Sequence, residues 1–217
     1  MLWEVYGKEG ADRDERAGRN YNVLSGHKNA VLELHWNDVD SPNTIVSCSA
    51  DKTVAIWDAH KGTRTRKLTE HTAVVNSCHF NGGRSLVASG SDDCTAILWD
   101  SRNKASVGTF YHDYQVCSVC LSGDGSYLYT GGIDNIIRRF DLRMLEAPAD
   151  LLLEGHSDTV SGLALSPDGC HLLSNAMDST MRVWDMRPFA NSLHGRCESV
   201  VRGLHHGAEK NLLRCAW

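Results

Sequence analysis

Short apolar runs broken by Gly, Asp, Asn and Ser recur along the chain, a pattern that predicts short β-strands joined by tight turns. Four of these runs end alike: Val54-Ala55-Ile56-Trp57-Asp58, Ala96-Ile97-Leu98-Trp99-Asp100, Ile137-Arg138-Arg139-Phe140-Asp141 and Met181-Arg182-Val183-Trp184-Asp185. Their closing aspartates stand 42, 41 and 44 residues apart. Self-similarity at one period marks a chain built by repeating a single supersecondary unit.

The polar positions inside each unit keep the same spacing. An Asp lies six residues before each terminal aromatic (Asp51, Asp93, Asp134, Asp178), and a hydroxyl lies four residues before that Asp (Ser47, Ser89, Thr130, Ser174). Further upstream stands a His: His27, His71, His112 and His156, 24 residues before its Asp in the first unit and 22 in the others. Ser-x-x-x-Asp-x-Thr reads as the end of one strand and the hairpin into the next. The hairpin Asp can accept from one imidazole N–H. The other ring nitrogen can accept from the Ser hydroxyl, whose oxygen can accept from the indole N–H of Trp57, Trp99 or Trp184. Such a network satisfies every polar group it buries, as an interior of low dielectric demands.

Ser, His and Asp together also suggest a hydrolase. Their recurrence in four units marks them as architecture, and the chain has no Gly-x-Ser-x-Gly elbow. The sequence therefore predicts a non-enzymatic protein with no catalytic residue, no cofactor and no metal ligand set. Its eight cysteines are scattered along predicted strands, where small buried thiols are common. The one Cys-x-x-Cys, Cys117 to Cys120, falls in a strand-like run that points its two thiols to opposite faces. His205-His206 has no further ligand near it and reads as loop chemistry.

A formal net charge of −5 argues against a generic nucleic-acid surface, which needs clustered excess Lys and Arg. No apolar run reaches the roughly 20 residues of a membrane helix. The start, Met1-Leu2-Trp3-Glu4, lacks the basic and apolar regions of a signal peptide, which points to the cytosol or nucleus.

A period of roughly 40–45 residues with these offsets resembles the WD40 repeat. The resemblance implies an all-β fold, a WD40 β-propeller. Repeats are expected over 19–58, 61–100, 103–141 (degenerate) and 149–185, with the last strand of a truncated blade at 1–6 and the start of a truncated repeat at 201–217. That makes four whole blades and two remnants, as in a fragment of a seven-bladed ring or a truncated gene model. Open strand edges then predict poor solubility. The segments 8–20 and 188–200 read as surface loops. In the third repeat Phe140 lacks the indole donor and Ile136 replaces the hairpin Thr, so an incomplete network is expected there.

Some stretches are more particular. Leu2-Trp3-Glu4-Val5-Tyr6-Gly7, Ser49-Ala50-Asp51-Lys52-Thr53-Val54-Ala55, Ser174-Asn175-Ala176-Met177-Asp178 and Lys210-Asn211-Leu212-Leu213-Arg214-Cys215 resemble the WD-repeat subunits of the spliceosomal U-five small nuclear ribonucleoprotein. That resemblance implies a nuclear docking scaffold in pre-mRNA splicing. It would sit with the large scaffold protein of the particle and meet RNA only as part of the ribonucleoprotein, with no membrane and no small-molecule substrate. A second reading is a WD40 substrate receptor of a cullin-type ubiquitin ligase. Its support is the Arg two residues after three of the closing aspartates, at Arg102, Arg143 and Arg187. A generic signalling scaffold is a third.

Overall fold

A computed structural model describes residues 2–4, 19–37, 43–188, 196–203 and 212–217. These residues form eighteen β-strands and no helix. Strands β1 (Leu2–Glu4) and β2 (Arg19–Asn22) make a two-stranded pair. The other sixteen make four antiparallel sheets, each ordered as an up-and-down meander. The first sheet holds β3 (Val31–Asn37), β4 (Thr44–Ser49), β5 (Val54–Asp58) and β6 (Thr63–Leu68). The second holds β7 (Val75–Asn81), β8 (Leu86–Ser91), β9 (Thr95–Asp100) and β10 (Ser106–Tyr111). The third holds β11 (Val116–Leu121), β12 (Tyr127–Gly132), β13 (Ile137–Asp141) and β14 (Leu151–Leu153). The fourth holds β15 (Val160–Leu165), β16 (His171–Ala176), β17 (Thr180–Asp185) and β18 (Cys197–Arg202). They have the form of successive propeller blades.

Repeat and sheet are out of step by one strand. The unit that ends at Asp100 supplies β6 as outer strand of the first sheet, then β7, β8 and β9 of the second. This offset corrects three expectations. Residues 2–4 are not the last strand of their sheet, because β2 pairs beyond them. The expected loops at 8–20 and 188–200 give residues 19–20 to β2 and 197–200 to β18. An outer strand is held by backbone pairing on one side alone, and β18 is mostly exposed, so its sequence carries no alternating apolar signal. Residues 8–18 and 189–195 of those loops, and His205-His206, lie outside the described residues.

The core is made between sheets. Val46, Cys48, Val54, Ile56 and Leu68 of the first sheet pack on Val75, Cys78, Phe80 and Trp99 of the second. Equivalent clusters join the second sheet to the third around Val116, Val119 and Phe140, and the third to the fourth around Val160, Leu163 and Trp184. The innermost strands β3, β7, β11 and β15 lie side by side. Val31, Leu34 and Trp36 hold in β3 the positions that Val75, Cys78 and Phe80 hold in β7, yet they are 51%, 62% and 45% exposed against 2% or less.

The hairpin that joins the second and third strands of each sheet turns at one residue beyond its Asp. Lys52, Cys94, Asn135 and Ser179 sit there at φ between 63° and 69°. A left-handed backbone at one repeated position lets the Asp side chain fold back over the turn.

Candidate functional site

Three of the four predicted constellations assemble in full. In the first repeat His27 Nδ1 lies 3.1 Å from Asp51 Oδ2, His27 Nε2 lies 2.8 Å from Ser47 Oγ, and Trp57 Nε1 donates to Ser47 Oγ at 2.8 Å. The second repeat gives 2.8 Å for His71–Asp93, His71–Ser89 and Trp99–Ser89 alike. The fourth gives 3.0 Å for His156–Asp178, 2.7 Å for His156–Ser174 and 2.8 Å for Trp184–Ser174. Each His follows the outer strand of one sheet, and its Ser, Asp and Trp belong to the next. The network therefore fastens the crossing loop to the hairpin beyond it.

Sequence reasoning underweighted the hairpin threonines and missed a backbone donor. Thr53, Thr95 and Thr180 donate both hydroxyl and N–H to the outer carboxylate oxygen of Asp51, Asp93 and Asp178. The N–H groups of Lys28, Thr72 and Ser157 donate to the other oxygen. A backbone donor has no residue type to betray it in a sequence.

These donors set the charge state. Burial opposes ionisation of Asp178, but the Thr180 hydroxyl, the Ser157 N–H and His156 outweigh it and hold the carboxyl down at about 2. Asp51 and Asp93 are depressed against burial by the equivalent groups. Burial also pushes the His71 and His156 imidazoles below the usual histidine range, against the pull of Asp93 and Asp178. The second and fourth constellations thus hold a neutral imidazole beside a carboxylate. An ionised carboxylate only accepts, so Nδ1 carries the proton and Nε2 accepts from the Ser hydroxyl.

That connectivity matches a hydrolytic triad, so connectivity alone does not decide the chemistry. The surroundings do. Ser89 and Ser174 are fully buried, and each Oγ is capped by an indole N–H where a substrate carbonyl would have to approach. A cleft of about 440 Å³ opens between the third and fourth sheets, lined by Tyr127, Tyr129, Arg139, Met186 and Arg187 among others, and none of the constellation residues reaches it.

The third repeat brings its residues to the same place without the bonds. Asp134 is taken by Arg138 Nη1. His112 stands edge-on to Phe140, centroids 5.5 Å apart at 87°, and burial together with Arg138 pushes its imidazole down to about 4. His112 Nε2 and Thr130 Oγ1 are buried with no hydrogen-bond partner.

At the strand exits Arg102, Arg143 and Arg187 each donate through backbone N–H, Nε and Nη2 to the Asp two residues before, Asp100, Asp141 and Asp185. The Asp-x-Arg pattern thus closes a local turn. Cys117 and Cys120 are buried, and burial pushes their thiols up to about 11 and about 12. Glu33, Cys48 and Cys78 bring their ligand atoms within 4.8 Å of one another, a grouping the sequence spacing does not disclose.

The sequence profile of the WD domain, G-beta repeat, matches residues 18–58, 62–100, 104–141 and 150–185. Over its whole length the chain is 47% identical to the U5 small nuclear ribonucleoprotein 40 kDa protein of Dictyostelium discoideum, of which it spans 58%. It is 41% identical to the pre-mRNA-splicing factor cwf17 of Schizosaccharomyces pombe, of which it spans 60%. Over 161 residues, 74% of the chain, it is 47% identical to the Homo sapiens U5 small nuclear ribonucleoprotein 40 kDa protein, covering 44% of that protein. With its repeats matched over most of its length, the chain belongs to the WD40 family.

Proposed function

We propose that the chain is a non-catalytic docking scaffold of the nucleus that works in pre-mRNA splicing as part of a U5-type ribonucleoprotein. The observation that carries this reading is identity of 47% and 41% along the whole chain to proteins named for the U5 particle and for pre-mRNA splicing. Fold alone would not support it, since propellers host many functions. The non-catalytic part rests on buried serines whose oxygens are already bonded. On this reading the partner is the large scaffold protein of the particle, and RNA is met through the assembly.

The ubiquitin-ligase reading rests on Arg102, Arg143 and Arg187. Each is engaged by its own Asp, which weakens the case for a shared adaptor motif. Gentle purification of the tagged protein from its own cells, with identification of bound protein and RNA, separates the two. Recovery of U5 RNA with the large scaffold protein is the expected result. A cullin adaptor without that RNA overturns it.

A further inference from the structure

Each inner strand carries one bulge residue that drops out of the pairing register: Leu32, Asn76, Cys117 and Ser161. A bulge turns its own peptide out of the ladder and re-aims it. The carbonyl oxygens of Asn76, Cys117 and Ser161 converge on one guanidinium, that of Arg214. Nη1 donates to Cys117 O at 2.8 Å and to Ser161 O at 2.6 Å, and Nη2 donates to Asn76 O. Nε lies 2.9 Å from Glu33 Oε1. Four of the five guanidinium N–H groups therefore meet an acceptor, one from each of β3, β7, β11 and β15.

The segment that brings Arg214 is fixed in register. Leu212-Leu213-Arg214-Cys215 repeats the spacing of Val160-Ser161-Gly162-Leu163. The Leu213 carbonyl accepts from Ser161 Oγ at 3.0 Å and Asn175 Nδ2 at 3.2 Å, and Trp217 Nε1 donates to Ala164 O at 2.9 Å. Glycine at position 162 lets the segment approach closely: an added Cβ would stand 3.0–3.1 Å from the backbone of residues 213–215, which would have to give by a few tenths of an ångström.

The geometry points to a guanidinium-binding site where the inner strands meet: three bulge carbonyls and the Glu33 carboxylate form a receptor for a planar, many-donor cation, filled by the chain's own Arg214. An ammonium cannot replace it, since three N–H groups fanning from one atom do not reach four acceptors spread around a plane. The carbonyls are the principal acceptors. Burial pushes the Glu33 carboxyl up even though Arg214, Ser77 and the Cys78 N–H pull it back, so its charge is held less securely than a carbonyl dipole. Emptying the site orphans three backbone carbonyls on three sheets at once.

The test is chemical rescue. Arg214→Ala is melted with millimolar methylguanidinium, methylammonium or potassium chloride at equal ionic strength. A ligand that binds only the folded chain raises its melting temperature with concentration. The expected result is a lowered melting temperature that climbs with methylguanidinium and with neither other salt, with a smaller drop in Glu33→Gln. An equal response to all three salts, or a variant that melts like the parent, overturns the proposal. Should Arg214→Ala fail to fold, nitrogen-resolved NMR of the unaltered chain decides. Separately resolved, slowly exchanging Arg214 Nε and Nη protons support the site, and one averaged, fast-exchanging signal refutes it.

Discussion

In the second repeat His71, Ser89, Asp93 and Trp99 are joined by bonds of 2.8 Å, whereas in the third His112 Nε2 and Thr130 Oγ1 are buried without a partner. Both repeats place the same positions on the same strands, so the strand framework does not depend on the network. The divergence begins with three side chains. Phe140 has no N–H to give Thr130, Ile136 has no hydroxyl to give Asp134, and Arg138 then claims the free carboxylate. At the position of Arg138 the second repeat has Ile97, which leaves Asp93 to His71 and Thr95. The fourth repeat carries Arg182 at the same position and keeps its network, so the lost hydroxyl and the lost indole, and not the cation alone, redirect the set.

The largest expected contrast is between Asp93→Ala and Asp134→Ala. Asp93 accepts from His71, the Thr72 N–H and both donors of Thr95, so its loss is expected to cost about 3 kcal/mol in urea denaturation. Asp134→Ala removes an ion pair and one weak backbone contact and should cost less than half as much. Equal losses would mean that the two aspartates hold their repeats equally well. If the set is structural, either change acts on partner binding only through stability, and loss of partner binding at unchanged melting would contradict that role.

Acidification gives the next contrast. The His71, His156 and His112 imidazoles lie below their unfolded value, so between the folded and unfolded pKa the unfolded chain binds more protons and stability rises with pH. Stability should therefore fall from pH 6.5 towards pH 5, by about 1.4 kcal/mol per pH unit for each histidine fully inside that window. His112, held at about 4, spans the window, and His112→Asn should reduce the slope by one such increment. An unchanged slope would show that His112 titrates normally. The depressed carboxyls act lower: their contribution is present above the unfolded aspartate value and is lost as pH falls through the folded one, about 2 for Asp178.

Phe140→Trp supplies the missing donor to Thr130 and should raise stability by about 1 kcal/mol. A loss instead would mean that Phe110, 4.8 Å away centroid to centroid, leaves no room for the indole. The smallest effect belongs to the hairpins. Cys94→Gly, at φ 64°, should stabilise the second repeat by about 0.5–1 kcal/mol. Asn135→Gly should do less in the third, because Asn already tolerates the left-handed region. Equal gains would show that residue type at this turn is immaterial.

The inner three strands of each sheet and the polar constellations were legible because both rest on side chains at fixed offsets: His71 to Asp93, Ser89 to Asp93, Asp93 to Trp99. The outer strands β2 and β18 were not, since they pair by backbone and β18 is mostly exposed. The convergence on Arg214 was hidden for a related reason. Its acceptors are carbonyls of Asn76, Cys117 and Ser161, three side-chain types with nothing in common except a bulge. Sequence patterns record what side chains do, and backbone geometry passes through them unmarked.

The one-strand offset between repeat and sheet has a consequence for how such chains change by duplication and loss. Cutting out residues 59–100, from one closing aspartate to the next, removes β6 together with β7, β8 and β9. The strand after β5 is then β10, an outer strand arriving where an outer strand was lost. Each surviving sheet keeps four strands, His27 stays at the Asp51 hairpin, and His71 leaves together with Asp93, the residue it is bonded to. A recombination event at that phase swaps modules without leaving a seam in any ladder, whereas one placed between a histidine and the inner strand after it would separate that histidine from the hairpin that it clasps.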